Sequence, residues 1–215
     1  MTEVICEISG NHGGTLRAAM ALIYSAKWAG ADAVKFQCFN PERLAARRAS
    51  NSEVLALANG VPLVDLYRKT YTPREWFPSL IQACRDLDIA WFSSVFSPED
   101  VAFLETLDCP RYKISAFEML DWELIKAVKE TSKPIVMSVR PTKNVTVLQA
   151  SNYDGSITPL GVSEHGVKTT PLREIALRYF PMVEWHLKLP GVDTPDSEFS
   201  LTPDEMKQRI MELRK

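Results

Sequence analysis

Three histidines, set among lysines and carboxylates, carry most of the chemistry open to this 215-residue sequence. His165 closes the segment Gly161-Val162-Ser163-Glu164-His165, and His186 closes Glu184-Trp185-His186. Each segment ends a short β-like run, Thr158–Val162 and Met182–Trp185. Imidazole is the commonest protein ligand for a divalent metal. Two imidazoles at consecutive strand ends converge on one point if the strands are parallel neighbours. With carboxylates nearby, such a pair leaves coordination positions open for a substrate, which a catalytic metal site needs. The alternative is a pair of satisfied structural histidines. His12, after the first strand, reads as support for a turn.

These residues need elements to hold them. Val4–Ile8 is a short apolar strand carrying Glu7. A glycine-rich turn follows, and Thr15 can cap a helix over Leu16–Ala29, whose apolar positions recur at helical spacing. Gly30 ends that helix, and Ala33–Phe36 is the second strand, followed by Gln37. A complete β-turn-α-β unit of this kind builds parallel sheet. The same alternation continues with a helix from Thr72-Pro73 to about Leu87, a strand over Ile89–Phe92 and a helix from Ser97 to Leu107. Next come a strand over Arg111–Ser115, a helix over Trp122–Lys129 capped by Asp121, and a strand over Pro134–Met137. Residues 40–72 show no clean period and read as a long loop, which in a compact domain tends to be functional. Its Arg43, Arg47 and Arg48 lie over an anionic substrate or form a solvated face.

After the fifth strand the pattern breaks. Too few residues separate Pro134–Met137, Val145–Gln149 and Pro159–Val162 for helices between them. Six extended residues reach ~20 Å, enough for a bare crossover between parallel strands. Helical character resumes over 171–179, then come a strand over Pro181–Trp185 and a last helix opened by Thr202-Pro203-Asp204-Glu205. The fold expected is a single α/β domain over residues 1–215, a TIM (β/α)8 barrel reduced by the helices after strands five and six. Chemically capable residues fall at the strand C-termini, the face where such barrels build active sites.

Composition narrows the function class. The net charge of −2 argues against nucleic acid or an anionic membrane surface as the main partner. Four cysteines show no Cys-x-x-Cys spacing and sit in hydrophobic runs, as buried thiols of a reducing compartment do. No signal peptide is expected, because Glu3 and Glu7 interrupt the first apolar run, and a cytoplasmic location follows. No apolar run approaches the ~20 residues that cross a bilayer.

In order, Glu7-Ile8-Ser9-Gly10-Asn11-His12-Gly13-Gly14, Ala29-Gly30-Ala31-Asp32-Ala33-Val34-Lys35-Phe36-Gln37, Tyr112-Lys113-Ile114 with Glu118, Lys133-Pro134-Ile135-Val136-Met137-Ser138, Gly161-Val162-Ser163-Glu164-His165, Glu184-Trp185-His186 and Ser200-Leu201-Thr202-Pro203-Asp204-Glu205 span the chain. This ordered series resembles the N-acetylneuraminate (sialic acid) synthase family, which includes legionaminate and pseudaminate synthases. The resemblance implies condensation of phosphoenolpyruvate with the open-chain aldehyde of an N-acylmannosamine-like sugar, helped by Mn²⁺ or Mg²⁺. It implies that His165 and His186 hold the metal. It implies that Lys35, Gln37, Lys113, Ser115, Ser138, Asn152 and Ser163 bind substrate, and that Glu7, Glu118, Glu184 and Asp196 surround the sugar and the reacting carbons.

The residue types suit that chemistry. Phosphoenolpyruvate carries several negative charges, which lysines with hydroxyl and amide donors can clamp, and glutamates can move the protons. An unpaired lysine inside a strand costs several kcal/mol, so Lys35 and Lys113 face either a ligand or an ion-pair partner. Three positions depart from the family pattern: Ala116 replaces a small hydroxyl residue, Glu164 replaces Asp, and Trp185 replaces a basic residue. Ser115 is expected to stand in for the hydroxyl. The C-terminal antifreeze-like domain, which in the family reaches into the partner subunit's site, is expected to be absent. The readings left standing are the synthase, the same barrel and metal acting on another acceptor or as a lyase, and a non-catalytic scaffold that kept the fold. Bare outer faces of strands five to seven would be shielded in a homo-oligomer.

Overall fold

A computed structural model describes residues 2–142, 145–151, 157–164 and 180–215. Eight strands close into a barrel in chain order. They are β1 (Glu3–Glu7), β2 (Ala33–Cys38), β3 (Ala90–Val95), β4 (Tyr112–Ile114), β5 (Ile135–Thr142), β6 (Val145–Ser151), β7 (Ile157–Glu164) and β8 (Met182–His186). The helices among the described residues are α1 (Leu16–Ala29), α2 (Pro41–Arg48), α3 (Ser52–Leu57), α4 (Leu63–Thr70), α5 (Phe77–Asp86), α6 (Pro98–Glu105), α7 (Trp122–Glu130) and α8 (Pro203–Leu213). The helix expected over 171–179 lies outside the described residues. No helix among the described residues is long and apolar enough to cross a membrane.

Local sequence explains the helix ends. Thr15, Ser97 and Asp121 each accept a backbone N–H with the side chain, so α1, α6 and α7 start where their caps stand. Thr202 and Glu205 form a reciprocal capping box on α8. Gly30 takes φ of 94°, a left-handed conformation that ends α1 and turns the chain into β2. The helix expected from Pro73 opens instead as a short 3₁₀ turn, Arg74–Trp76, before α5.

Two expectations are corrected. Residues 40–72, read as a loop, form α2, α3 and α4. Their period is faint because they bury little: in α2 only Pro41 and Leu44 are buried, against five residues in α1. These helices have their own small core, in which Leu44, Val54 and Tyr67 pack with Phe39 and Phe96 of the barrel rim. Strands five to seven are not joined by crossovers either. β6 pairs antiparallel with both β5 and β7, while the other six neighbouring pairs are parallel. A parallel return needs a connection of about a dozen residues or more, whereas a hairpin needs about two. Thr142 pairs with Val145 across such a short link. The end of β6 consequently faces the other way: Ser151 pairs with Ile135 and Ile157, at the starts of β5 and β7.

Side chains alternate in and out along each strand. Ile5, Ala33, Phe92, Val136 and Met182 form an apolar cluster of their own. Two residues further along β1, β2, β3, β5 and β8 come Glu7, Lys35, Ser94, Ser138 and Glu184. The polar layer is thus the next step of the same alternation toward the C-terminal mouth. At the opposite end Arg111 pairs with Glu3 and lies 4.0 Å from the Phe92 ring centre.

At Gly161 two strands of the barrel wall approach closely. A Cβ there would sit 1.9 Å from the Met182 carbonyl oxygen, in the β7–β8 pairing. Gly161→Ala is therefore expected to destabilise the protein by at least ~2 kcal/mol through overpacking against backbone. Urea unfolding checks this, and a variant as stable as the parent would contradict the close β7–β8 contact.

Candidate active site

Four charged side chains meet inside the mouth of the barrel, each nearly lost to solvent: Glu7 is 0% exposed, Lys35 4%, Lys113 5% and Glu184 1%. Lys35 Nζ lies 2.6 Å from Glu7 Oε2 and 3.2 Å from Glu184 Oε1. Lys113 Nζ donates to both oxygens of Glu184, at 2.8 and 2.9 Å. Ser163 Oγ donates to Glu184 Oε1 at 2.7 Å, and Lys35 Nζ reaches Ser94 Oγ at 3.4 Å. Burying four charges is expensive, and only mutual pairing with hydrogen bonds offsets it. β1, β2, β4, β7 and β8 each contribute one member, so closure of the barrel is what assembles the group.

The electrostatics are uneven. Burial raises the Glu184 carboxyl, but Lys113 and Lys35 overcome this and hold it well below the ordinary range. Burial lowers Lys35, and Glu184 with Glu7 more than reverses that, so its ammonium is held above the usual value. Lys113 has one carboxylate where Lys35 has two. Burial therefore dominates, repulsion from Lys35 adds to it, and Lys113 falls to about 8. Of the two lysines, Lys113 gives up its proton first.

A second group stands beside this one. His186, buried at the end of β8, has Nδ1 3.3 Å from Asp196 Oδ2, and its ring packs edge-on to Phe199 with centres 4.8 Å apart. A carboxylate beside Nδ1 favours the tautomer protonated there and leaves Nε2 as a lone-pair donor. Asp196 is seated over Gly10, where a Cβ would come within 2.1 Å of its Oδ2. Asn11 Nδ2 ties the first turn to this segment by donating to Leu187 O at 2.9 Å and Ser200 Oγ at 2.8 Å. A histidine nitrogen and a carboxylate suit a divalent cation of mixed N/O preference. Among the described residues no set of three such donors forms. His165 and Asn152 lie outside the described residues.

Glu118 is also buried, but it sits apart from the lysines in hydrogen bonding. Ser115 donates to its Oε2 and Arg48 to its Oε1. Ser115, expected among the substrate ligands, thus points its hydroxyl at Glu118. Ser138 is buried midway along β5. Gln37 and Asp196 line a cleft of about 170 Å³ together with Gly10, Arg48, Tyr67 and Phe96. His12 supports its turn: Nδ1 accepts from Gly14 N at 3.0 Å, and burial lowers its pKa. The four cysteines are buried free thiols.

Two of the departures in sequence touch each other. Trp185 Nε1 donates to Glu164 Oε2 at 2.6 Å, and Arg209 packs 5.2 Å above the Trp185 ring and 3.6 Å from the same carboxylate. A glutamate reaches the indole across the β7–β8 pair, so the two changes form one outward-facing contact with α8. The sequence does not mark Asn11 as a site residue, and it leaves Arg48 between an anionic substrate and a solvated face, whereas the folded chain turns it onto Glu118. The only signal for Asn11 is its place in a glycine-rich turn, and for Arg48 its place in an arginine row.

Comparison with known proteins bears on this arrangement. The profile of a family described as the NeuB family matches residues 22–153. Pseudaminic acid synthase of Helicobacter pylori is 36% identical over 138 residues, which is 63% of this chain and 41% of that protein. Pseudaminic acid synthase of Campylobacter jejuni is 29% identical over 251 residues, covering 98% of this chain and 72% of that one. The chain thus spans about two fifths of the first relative and nearly three quarters of the second. The crystal structure of N-acetylneuraminic acid synthetase from Leptospira borgpetersenii superposes with a TM-score of 0.72 at 20% identity, over 99% of this chain and 82% of that one. At that identity the likeness is one of fold.

Proposed function

This chain belongs to the NeuB family, and from that membership we propose that it condenses phosphoenolpyruvate with an N-acylmannosamine-like aldehyde sugar, yielding a sialic-acid-like nonulosonic acid and phosphate. The observation that carries the reading is the buried pair of lysines, Lys35 and Lys113, set against Glu7 and Glu184 at the barrel mouth. The relatives named as pseudaminic acid synthases support the class of product.

On this reading Lys35 and Lys113 take the phosphate and carboxylate of phosphoenolpyruvate, with Ser138, Ser163 and Asn152 as hydroxyl and amide donors. The enol C3 bonds to the aldehyde carbon, whose oxygen takes a proton from Glu118 or Glu7. Water adds at C2 and gives its proton to a carboxylate of the same set. Phosphate then leaves with cleavage of the C2–O bond and takes the proton of the new C2 hydroxyl, which becomes the ketone. Gln37 and Asp196 face the sugar from the cleft. No lysine imine is formed, so Lys113 acts as a cation throughout. His186 with His165 would hold a divalent ion, Mn²⁺ or Mg²⁺, which supplies Lewis-acid polarisation of the aldehyde oxygen when bound. The proposal extends to a cytoplasmic homo-oligomer and to a barrel reduced by two helices.

The test is phosphate release from phosphoenolpyruvate with N-acetylmannosamine, its N-acyl relatives and shorter aldehydes. Release with the amino sugars supports the synthase. Release only with short aldehydes shifts the reading to another acceptor, and no release with any acceptor leaves a scaffold. The apparent affinity for phosphoenolpyruvate is expected to fall as pH rises through about 8, where Lys113 loses its charge. A flat KM from pH 7 to 9.5 would remove Lys113 from the phosphate cradle.

A further inference from the structure

Helices α2–α4 form a cap over one side of the mouth, with a small core separate from the main one. The three arginines of α2 do different work. Arg43 pairs with Glu99 at an exposed edge, 2.7 Å apart. Arg47 donates to Phe96 O at 2.7 Å and pairs with Asp121. Arg48, the last residue of α2, turns inward and is only 13% exposed in its side chain. Its Nε donates to Glu118 Oε1 at 3.0 Å, a second guanidinium nitrogen contacts the same oxygen, and Nη1 donates to Tyr67 OH at 3.2 Å. The rings of Phe117, Phe96 and Tyr67 surround the guanidinium carbon at 5.1, 5.4 and 5.8 Å.

This environment leaves the guanidinium little freedom. Three aromatic faces attract its charge and confine its plane, and each of its three nitrogens donates to one carboxylate or one phenol. Ser115 directs the other oxygen of Glu118. The carboxylate is therefore oriented from two bodies: Ser115 belongs to the segment after β4, Arg48 to the cap. Arg48 also lines the cleft that holds Gln37 and Asp196.

We propose that Arg48 is a positioning residue for Glu118, through which the cap completes the acceptor side of the site. The proposal rests on the reading above of Glu118 as a sugar-facing carboxylate. Without Arg48, the Glu118 carboxylate would keep Ser115 as its side-chain partner. Its side chain would swing from the position that the two partners fix, and the sugar would lose a carboxyl group held in place.

The test uses the full chain, with Arg48→Met and Arg48→Lys compared in phosphate release while the aldehyde sugar and phosphoenolpyruvate are varied in turn. Arg48→Met is expected to lower kcat/KM for the sugar by about 10- to 100-fold, the size of one charge-assisted pair. KM for phosphoenolpyruvate should stay within about twofold. Arg48→Lys should recover part of the loss, since lysine restores the charge but not the fork. Equal losses toward both substrates that track a fall in melting temperature would show a merely structural role and overturn the proposal. Unchanged sugar kinetics in an active Arg48→Met would overturn this role alone. A parent chain that releases no phosphate with any acceptor would remove the synthase reading and this role together.

Discussion

Glu184→Gln is expected to cut phosphate release by about 100- to 1000-fold, the rate equivalent of the few kcal/mol by which removing one partner of a buried ion pair is felt. Glu184 is the hub of the charged group: Lys113 holds both of its oxygens, and Lys35 and Ser163 share one of them. The glutamine keeps the shape and loses the charge. Lys35 retains Glu7, while Lys113 is left buried without a counter-charge. The variant should therefore melt well below the parent when empty, and phosphoenolpyruvate should raise its melting temperature more than the parent's, because the ligand brings the missing negative charge.

A pH signature accompanies it. The Glu184 carboxyl is held well below 4.5, so its stabilisation is complete above about pH 4.5 and is lost as pH falls below that. Glu184→Gln should flatten this acid limb. Lys113 acts in the opposite sense. Its folded value of about 8 lies below 10.5, so the unfolded chain binds more protons between the two, and this group's contribution to stability rises with pH in that window. Chemical unfolding at pH 3.5, 5 and 7 measures the Glu184 limb. Parallel profiles for parent and variant, or full activity in the variant, would mean that the charges are not coupled as the distances require.

His186→Ala is expected to weaken Mn²⁺ binding by at least about 100-fold, a loss larger than that usually caused by altering a ligand's outer hydrogen-bond partner. His186 and Asp196 stand 3.3 Å apart, and removing the imidazole leaves one carboxylate of that pair. Asp196→Asn should cost less, about tenfold, if the carboxylate chiefly orients the ring. Calorimetric titration with Mn²⁺ alone reads both effects without reference to turnover. Parent-like Mn²⁺ affinity in His186→Ala would remove His186 from the metal site, and with it the role assigned to His165.

Much of the barrel was legible because its signals are local. Thr15, Ser97, Asp121 and Thr202 cap the helices that follow them, and Gly30 stops α1, all through contacts within a few residues. Period-two alternation carried Ile5 to Glu7, Ala33 to Lys35 and Met182 to Glu184, so that the charged layer could be anticipated at the strand ends. The cap was harder to see. An eight-residue helix such as α2 that buries only Pro41 and Leu44 leaves no apolar stripe to read.

The chemically capable residues and their place near the ends of strands are written locally, because strand alternation and helix capping act over a few positions. Which partner each charge meets depends on contacts between residues far apart in the chain. Lys113 and Glu184 are 71 residues apart, and Arg48 and Glu118 are 70 apart. Barrel closure and cap packing bring them together, and no local pattern records that. The direction of β6 belongs to the same class: its residues read equally well as strand either way, and only pairing with β5 and β7 across short links reverses it.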